Sequence, residues 1–538
     1  MKHSFFKIAA LLLELGMLAG CSKTALPEQS ETLEETAVVP TARPVSETLQ
    51  GETADDVFSL NALLDSSFNP YKLTSAWNRV VDMLVYEPLI AIDGNFEAQP
   101  SIVTAWSSED GLTWTFAVDT SRVFHSGAQV NAVDCAYTLR LAATMDAYAG
   151  RFDGVDSVET VDTASFQVKL KSVNWRFYTL LNIPVVETDT FYSTIPGGTG
   201  PYKFAATGDM LVLDEKHPQA ADMPLLRIYL KEYKGASDIL QAFESAAIDL
   251  VINDPTSLSN LGYSKTNIIR YVDSTNMHYI GYNLQSPFMS QTSVRAAMTY
   301  IVDRSTIVSS YMSGAAVSSA MPIHPNCSLY PQELVRTLGY EPEKFKTALN
   351  ALGMLDVDGD GMLDIFSGAT ALKLELDFIV CGDSSAKVSA ARRIVSEMTA
   401  LGLDVTLREL AYDDYIQALK DGDFDLYYGE IKIRPDWDLS ELFRADWSAD
   451  DSINYSRASD PMVLSCYAQL LSTPPENEQS AVDALCEYLA QAAPITVVCF
   501  EKSEVLYRRG VITGMEPTQD NIFNGMGSWE IDLTADQS

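Results

Sequence analysis

The pattern of hydrophobic and polar residues predicts strands and helices that alternate through most of the chain. Five segments alternate with the period of two that is typical of strands, namely 112–119, 165–171, 372–380, 403–410 and 423–431. Four segments have the apolar spacing of helices, namely 131–145, 293–312, 386–400 and a short one from Tyr412. Asn131 is the expected N-cap of the first helix. The segment 293–312 is expected to be one long helix whose buried face carries Val294, Ala297, Met298, Ile301 and Val308.

Residues 372–431 contain three of these strands with helices between them, which predicts a β-α-β-α-β unit. On the first strand the apolar side chains share one face and the charged side chains share the other. The apolar face carries Leu372, Leu374, Leu376 and Phe378, and the charged face carries Lys373, Glu375 and Asp377. Such units form mostly parallel sheets with right-handed crossovers, so we expect an α/β fold.

Length and charge limit the classes of protein that this chain can be. Its 538 residues exceed what one hydrophobic core supports, so two or three lobes are expected. The 73 acidic residues outnumber the 37 basic ones, which gives a net charge of -36. Because such a surface is repelled by phosphate backbones and no basic stripe interrupts it, nucleic acid is excluded as a partner. The acidic surface is typical of a soluble extracellular protein rather than of a protein that attracts cations.

The first 21 residues have the features of an export signal. Lys2 and Lys7 precede an apolar stretch that is too short to span a membrane and that contains one charge, Glu14. The stretch ends in the sequence LAGC at 18–21, which resembles the lipobox of bacterial lipoproteins. The resemblance implies cleavage before Cys21, acyl chains such as palmitate on that cysteine, and stable anchoring to the membrane. The alternative is an ordinary secretory signal in which the cysteine is incidental.

Residues 22–56 are rich in Glu, Thr, Ser and Pro, which predicts a disordered acidic linker. Six further cysteines follow in the globular part, and they contain no CxxC pair and no zinc-finger spacing. These are Cys135, Cys327, Cys381, Cys466, Cys486 and Cys499. Their apolar neighbours favour buried free thiols, with a Cys466–Cys486 disulfide as the alternative.

Motifs of common enzyme classes are missing from the chain. Its five histidines form no HExxH pair, and there is no G-x-S-x-G elbow. The glycine-rich segment GGTGPYK at 197–203 lacks the GK[ST] ending of a phosphate-binding loop. A binding protein is therefore expected rather than an enzyme, no cofactor is implied, and a hydrolase at the membrane surface is the least favoured alternative.

The nine residues DVDGDGMLD at 356–364 resemble the front of a calcium-binding loop. Carboxylates stand at positions 1, 3, 5 and 9 of such a loop, which are Asp356, Asp358, Asp360 and Asp364. The twelfth position is Ser367, where calcium would need a bidentate Glu, and a strand rather than a helix is expected to follow. Asp and Gly are typical of tight turns, so the segment predicts a turn, with a weak calcium site as the alternative.

Several motifs occur together and in one order along the chain. They are Asn69-Pro70, Tyr86-Glu87-Pro88-Leu89, Asp110-Gly111 with Phe116, Phe124-His125-Ser126-Gly127, Asp134 with Tyr137-Thr138, Gly198-Thr199-Gly200-Pro201-Tyr202, Asn283 with Pro287-Phe288, Val294-Arg295 with Ala297, and Asp303-Arg304. This set resembles the bacterial extracytoplasmic solute-binding proteins of family 5, the peptide/nickel type that serves ABC importers. The resemblance extends from about residue 57 to 530 and includes the turn at 356–364.

The resemblance implies a periplasmic-binding-protein-like fold of two α/β lobes (type II, cluster C), with an extra domain inserted in the first lobe. Ligand then binds in the cleft between the lobes, which close by a hinge motion. The expected boundaries are 1–21 for the signal peptide, 22–56 for the linker, 57–83, 197–283 and 506–538 for lobe I, 84–196 for the inserted domain and 284–505 for lobe II.

The resemblance also implies two ligand-binding segments. The first carries Thr74, Ser75, Ala76 and Trp77, where main-chain groups and an aromatic wall would hold an extended ligand, unless Trp77 is a packed surface aromatic. The second carries Glu430, Lys432, Arg434, Asp436, Trp437 and Asp438. The aspartate that pairs with a peptide's α-ammonium in the family falls on Ile431 here, so Glu430 is its possible replacement.

The expected function is capture of a small solute, a peptide in the first instance, and its delivery to ABC transporter permease subunits. Lys432 and Arg434 favour an anionic group on the ligand, which leaves a metal chelate, an opine-like amine or a sugar as alternatives. A signalling or adhesion lipoprotein without a transporter is the third possibility. The chain is expected to be a monomer held at the extracytoplasmic face of the bacterial cell membrane by the lipid on Cys21.

Overall fold

The computed structural model describes residues 57–254, 261, 267–367, 370–449 and 452–533. The predicted signal peptide, Cys21 and the linker 22–56 lie outside the described residues. No helix within the described ranges combines the length and the apolar character that a membrane crossing requires.

Eleven strands of the described chain form one large sheet. They are β1 (Ser59–Asn61), β8 (Tyr202–Phe204), β9 (Met210–Leu213), β10 (Arg227–Lys231), β11 (Leu250–Asn253), β12 (Asn267–Tyr282), β13 (Ala316–Ser318), β16 (Glu375–Cys381), β17 (Asp404–Leu410), β18 (Leu426–Lys432) and β19 (Ile495–Arg508). The order is β17-β16-β18-β12-β19-β11-β1-β10-β9-β8, with β13 paired to β19. Parallel pairing joins β16 to both β17 and β18 at one end, and β1 to both β10 and β11 at the other.

The remaining strands form smaller sheets. A four-stranded antiparallel sheet, β4-β5-β7-β6, consists of β4 (Val103–Ser108), β5 (Thr113–Val118), β6 (Val155–Thr160) and β7 (Ser165–Leu170). Two-stranded pairs are β2 (Ile90–Ile92) with β3 (Ala98–Pro100), β14 (Asp364–Ser367) with β15 (Thr370–Lys373), and β20 (Ile512–Thr513) with β21 (Glu530–Ile531). The four-stranded sheet lies within the segment 84–196 that the sequence predicts as an insertion.

The helices pack around these sheets. Their bounds are α1 (Ala76–Val85), α2 (Ala132–Ala142), α3 (Ala236–Glu244), α4 (Thr292–Met298), α5 (Arg304–Thr306), α6 (Gln332–Arg336), α7 (Pro342–Ala351), α8 (Ser385–Ala400), α9 (Tyr412–Asp421), α10 (Pro461–Ser472) and α11 (Glu478–Ala492). Asn131 caps α2 as predicted, since its side chain accepts from the amide of Val133 at 2.8 Å. The Asp134 carboxylate accepts from the Asn131 amide in return, which completes a capping box.

Two long strands, β12 and β19, pair antiparallel in the middle of the large sheet, between the β17-β16-β18 end and the β11-β1-β10 end. Their register shifts between Asp273 and Met277, so that the intervening residues leave the ladder with β19. Those residues are Ser274, Thr275 and Asn276, and all three are buried. A bulge of this kind bends a strand. Here it lies between the half of β12 that pairs with the last residues of β19 and the half that also pairs with β18.

The predicted β-α-β-α-β unit is confirmed as β16-α8-β17-α9-β18, with parallel strands. Leu374, Leu376 and Phe378 are buried as expected, and Glu375 is exposed. The segment 372–380 is divided between β15 and β16, and the side chains of its first two residues lie outside those described.

The single helix predicted over 293–312 is wrong. The chain forms α4, a 3₁₀ turn at Thr299–Ile301, α5 and then a π-helical turn at Ile307–Tyr311. Val302 is extended (φ -87°, ψ 98°), and the next residue, Asp303, caps the new helix by accepting from the amide of Thr306 at 3.1 Å. A side-chain acceptor of this kind offers the backbone an alternative to continuing the first helix. Apolar periodicity persists across the break, since Val294, Ala297, Met298 and Ile301 are buried and Val308 is partly buried.

All six described cysteines are free, so the Cys466–Cys486 disulfide considered above is not formed. Four of the thiols are buried, whereas Cys381 and Cys466 are partly exposed.

The segment 356–364 is an exposed turn that leads directly into β14, as predicted from the sequence. The Asp356 carboxylate accepts from the amides of Gly359 at 2.8 Å and Gly361 at 3.0 Å, and both glycines have positive φ. The carboxylates of Asp356, Asp358 and Asp364 also offer oxygen atoms within 4.8 Å of one another, so the calcium alternative stays an untested prediction.

Candidate functional site

The carboxyl ends of three parallel strands meet at one edge of the large sheet. These strands, β16, β17 and β18, end at Cys381, Leu410 and Lys432. In α/β sheets ligands bind in the crevice outside the carboxyl ends of the strands. The chain turns there into α8 and α9, so the first residues of both helices lie at the same edge.

A partly buried ion pair marks this edge. The Lys387 ammonium in the first turn of α8 contacts the Glu430 carboxylate on β18, and their side chains are 17% and 20% exposed. Burial alone would raise the pKa of Glu430, but the nearby Lys387 charge outweighs burial and lowers that pKa below its ordinary value. Burial would likewise lower the pKa of Lys387, yet the Glu430 and Glu501 carboxylates raise it. Both groups are therefore charged at neutral pH.

A second layer of polar side chains lies behind this pair. Asn276 on β12 donates from Nδ2 to both Glu430 and Glu501, which brings the two carboxylates together. His278, two residues along the same strand, lies 3.3 Å from Glu501 through Nε2 and 3.2 Å from the Tyr428 hydroxyl through Nδ1. Burial lowers the pKa of His278 to about 4, so its imidazole is neutral at physiological pH. These side chains come from β12, which contains the bulge, and from β18 and β19, which pair with β12 on either side.

Tyr412, the first residue of α9, borders the same edge and is 43% exposed. Burial raises the pKa of its phenol, and the Glu430 charge raises that pKa further, whereas the Lys387 charge opposes the rise. The edge therefore combines an accessible aromatic ring with an acid and a base, and such a surface can hold a small polar ligand by stacking and charge.

The other predicted residues of the second segment form a separate group. Arg434 contacts the Asp438 carboxylate, and its Nε lies 3.6 Å from Asp436. This group touches the predicted inserted domain, because the Asn174 amide lies 3.4 Å from Asp436 and Arg434 reaches the Gly150 carbonyl at 3.4 Å. The Arg434 charge is thus held by two acids of its own segment, whereas Lys432 is exposed.

Trp437 lies in the interior, where it is 2% exposed and has a positive φ of 62°. Its ring packs edge-on against Phe96 (centroids 5.6 Å apart) and Phe500 (6.4 Å). The packing joins three segments that are far apart in the sequence.

The first predicted segment, 74–77, forms the start of α1. Ser75 caps this helix, since its hydroxyl accepts from the amide of Asn78 at 3.3 Å. Thr74 and Ala76 are exposed, and Trp77 is partly buried against a cluster that includes Ile239. Trp77 and Trp437 therefore belong to different hydrophobic clusters.

Further along α1, Asp82 is 5% exposed, and neither of its carboxylate oxygens has a hydrogen-bond partner among the described residues. Burial raises the pKa of Asp82 well above its ordinary value. A group whose folded-state pKa is raised favours the folded state when protonated, so this contribution is lost as pH rises through the folded pKa.

Replacing Asp82 with Asn is expected to raise the free energy of unfolding at pH 8 by about 1–3 kcal/mol, because no carboxylate then has to ionise without partners. The gain should shrink at pH 4, where the folded protein already keeps this carboxyl protonated. Urea denaturation of both proteins at the two pH values measures the effect, with Asp156→Asn at an exposed position as the control. A variant that is less stable than the wild type at pH 8 contradicts the prediction.

Sequence reasoning placed Glu430 at this site but missed its partners. Lys387 could have been found, because it lies in the first turn of the helix that follows a predicted parallel strand, and Tyr412 could have been found in the same way. Asn276, His278 and Glu501 carry no signal in the sequence, since their meeting depends on the pairing of distant strands.

These features define a two-lobed α/β protein with an ion pair at the carboxyl ends of its parallel strands. Comparison with known proteins agrees: residues 97–450 match the family described as bacterial extracellular solute-binding proteins, family 5 Middle. This match covers more than half of the chain, and the chain belongs to that family.

Individual relatives are distant. An ABC transporter peptide-binding protein of Brucella ovis is 24% identical over 329 residues, which are 56% of this chain and 60% of that protein. The nickel-binding periplasmic protein of Escherichia coli K12 is 23% identical over 433 residues, which are 74% of this chain and 80% of that protein. The crystal structure of the ABC transporter substrate-binding protein CtaP from Listeria monocytogenes superposes on this structure with a TM-score of 0.70 at 17% identity. The superposition covers 88% of this chain and 98% of the CtaP chain. The structural likeness shows that the fold is shared.

Proposed function

We propose that this protein is an extracytoplasmic solute-binding lipoprotein that captures a small ligand, a peptide in the first instance, and delivers it to the permease subunits of an ABC importer. The observation that carries the proposal is the crevice edge of a family 5 fold, meaning the carboxyl ends of β16, β17 and β18, where Glu430 and Lys387 form an ion pair and the exposed Tyr412 begins α9. An acid and a base at one site suit a ligand that carries both an ammonium and a carboxylate group. We further propose the domain boundaries given above, with 84–196 inserted in lobe I and hinge closure at the bulge of β12.

The ligand class is tested with the full-length protein and a mixed library of dipeptides to pentapeptides. Thermal stabilisation by the library, together with co-purified peptides in native mass spectrometry, supports the proposal because a ligand that binds only the folded state raises its stability. Glu430→Gln should lose this stabilisation, whereas the matched control Glu409→Gln, which removes a carboxylate from an exposed pair with Arg392, should keep it. A lack of stabilisation by every peptide length contradicts the peptide assignment.

A metal chelate is the second candidate ligand. The observation that favours it is the E. coli nickel-binding relative, which aligns over a longer part of this chain than the Brucella peptide-binding relative does. A nickel chelate added in parallel with the peptide library separates the two candidates, and an equal amount of uncomplexed nickel salt is the control for binding of the metal alone.

The lipid anchor on Cys21 belongs to the same proposal. It would hold the folded body at the extracytoplasmic face of the membrane, close to the importer. Mass spectrometry of the membrane-extracted protein tests it: a chain that begins at an acylated Cys21 supports the anchor, and an unlipidated chain released from the membrane contradicts it.

A further inference from the structure

Three metal-ligating side chains from three strands meet behind the crevice edge. His278 on β12, Glu430 on β18 and Glu501 on β19 each offer one ligand atom, and these atoms lie within 4.8 Å of one another. The distance between His278 Nε2 and Glu501 Oε2 is 3.3 Å. Two ligands of a tetrahedral zinc ion, each about 2.1 Å from the metal, are about 3.4 Å apart. The spacing of the histidine and Glu501 therefore matches one edge of a zinc site.

The strands hold these ligands in place. His278 is directly opposite Glu430 in the β12–β18 ladder, and Glu501 pairs with Ala316 of β13. His278 is 0% exposed and Glu501 is 2% exposed, so neither moves freely in solvent. Because their backbone positions are fixed by strand pairing, only side-chain rotation is needed to bring the ligand atoms onto one ion.

Asn276 provides a separate observation. It is 4% exposed, and its Oδ1 is buried with no hydrogen-bond partner among the described residues, while its Nδ2 donates to Glu430 and Glu501. A half-turn of the amide would bring Oδ1 into the space between the two carboxylates. An imidazole, two carboxylates and an amide oxygen then form a donor set that suits Zn²⁺.

The charges at this place also favour a cation. Among Glu430, Glu501 and Lys387 the negative charges outnumber the positive one, and the charge of Asp254 acts on both His278 and Lys387. Lys387 is the cation that already contacts Glu430, and its side chain is 17% exposed.

We propose that His278, Glu430, Glu501 and Asn276 bind one divalent transition-metal ion, with Zn²⁺ as the best match, and that the ion displaces the Lys387 ammonium from Glu430. Such an ion would be resident in the protein and would tie together β12, β18 and β19 beside the bulge. The site goes beyond solute capture, and zinc binding can be measured with no solute present.

The test uses the full-length protein after removal of metal with a chelator. Calorimetric titration with Zn²⁺ and elemental analysis are expected to show one ion per chain, with a higher melting temperature in its presence. His278→Gln should weaken zinc affinity by at least about tenfold, since even outer-shell substitutions at metal sites cost about 10–100-fold. His125→Gln is the matched control, because that histidine bonds the Gly200 carbonyl elsewhere. Asp358→Asn should leave the zinc affinity unchanged, which would show that the acidic turn at 356–364 is not the zinc site.

Lys387→Met distinguishes a metal site from a merely structural cluster. It should bind zinc about tenfold more tightly than the wild type, because no buried ion pair has to be broken first. If His278→Gln fails to fold, Glu501→Gln is measured in its place, and the absorption spectrum of the Co²⁺-loaded wild type reports directly on nitrogen and oxygen ligands. The proposal is overturned by a wild-type protein without stoichiometric zinc, by unchanged affinity in the ligand variants, or by weaker binding in Lys387→Met.

Discussion

Replacing Glu430 with Gln is expected to lower the free energy of unfolding by about 3 kcal/mol, because it leaves the Lys387 ammonium in a largely buried place without its partner. Glutamine keeps the shape of the side chain, so the loss reports on charge and not on packing. The hydrogen bond that Asn276 donates to this side chain can still be accepted by the amide oxygen. Urea denaturation measured by circular dichroism gives the difference.

A double-mutant cycle isolates the ion pair. Adding Lys387→Met to Glu430→Gln should restore much of the lost stability, because no isolated charge then remains buried. Glu409→Gln, which breaks the exposed pair with Arg392, is the control and should change stability by no more than about 1 kcal/mol. Equal effects of Glu430→Gln and Glu409→Gln would show that the pair at the crevice edge contributes no more than a surface ion pair.

Replacing Arg304 with Met is expected to have the largest effect on stability, a loss of about 3–5 kcal/mol. The Arg304 guanidinium is 8% exposed and donates to four backbone carbonyls and one hydroxyl. The acceptors are the carbonyls of Ser319 (3.0 Å), Val497 (2.9 Å), Thr299 (3.2 Å) and Leu338 (3.3 Å) and the hydroxyl of Thr299 (2.9 Å). Methionine fills a similar volume but leaves these buried acceptors without a donor.

Burial lowers the pKa of Arg304 to about 10, so the guanidinium is still charged at neutral pH. Its loss should therefore be seen across the neutral range and should not depend on small changes of pH. Thermal and urea unfolding measure the change, with Arg336→Met as the control because that arginine lies in an exposed pair with Glu333. An Arg304→Met protein within 1 kcal/mol of the control would contradict the assigned role.

Arg304 and Arg295 illustrate what a motif conveys and what it leaves open. Both belong to the motifs that carry the family resemblance, and in the structure both guanidinium groups bind main-chain carbonyls. Arg295 holds the carbonyls of Ala492 and Ala493, at the left-handed end of α11. The sequence shows that two arginines stand at these positions, but three of the carbonyls they bind, those of Ala492, Ala493 and Val497, belong to segments nearly two hundred residues away.

Local structure could be predicted where its causes are local. The unit β16-α8-β17-α9-β18 and the capping of α2 by Asn131 follow from spacing and from side chains a few residues apart. The prediction of one helix over 293–312 was wrong for a reason that is also local. The Asp303 side chain accepts a hydrogen bond from the backbone and starts a new helix, while the apolar spacing continues through the break. Periodicity alone does not distinguish one helix from two that share a buried face.

The class of fold, the order of the elements in residues 372–431 and the membership of a solute-binding family follow from the sequence alone, because they depend on local spacing and on motifs read along the chain. Which charges meet depends on the tertiary structure. Asn276, His278, Glu430 and Glu501 lie on strands whose pairing joins distant parts of the chain. A shift of one residue in that pairing would turn each side chain to the opposite face of the sheet. The crevice edge and the proposed metal site therefore depend on register, which no local pattern specifies.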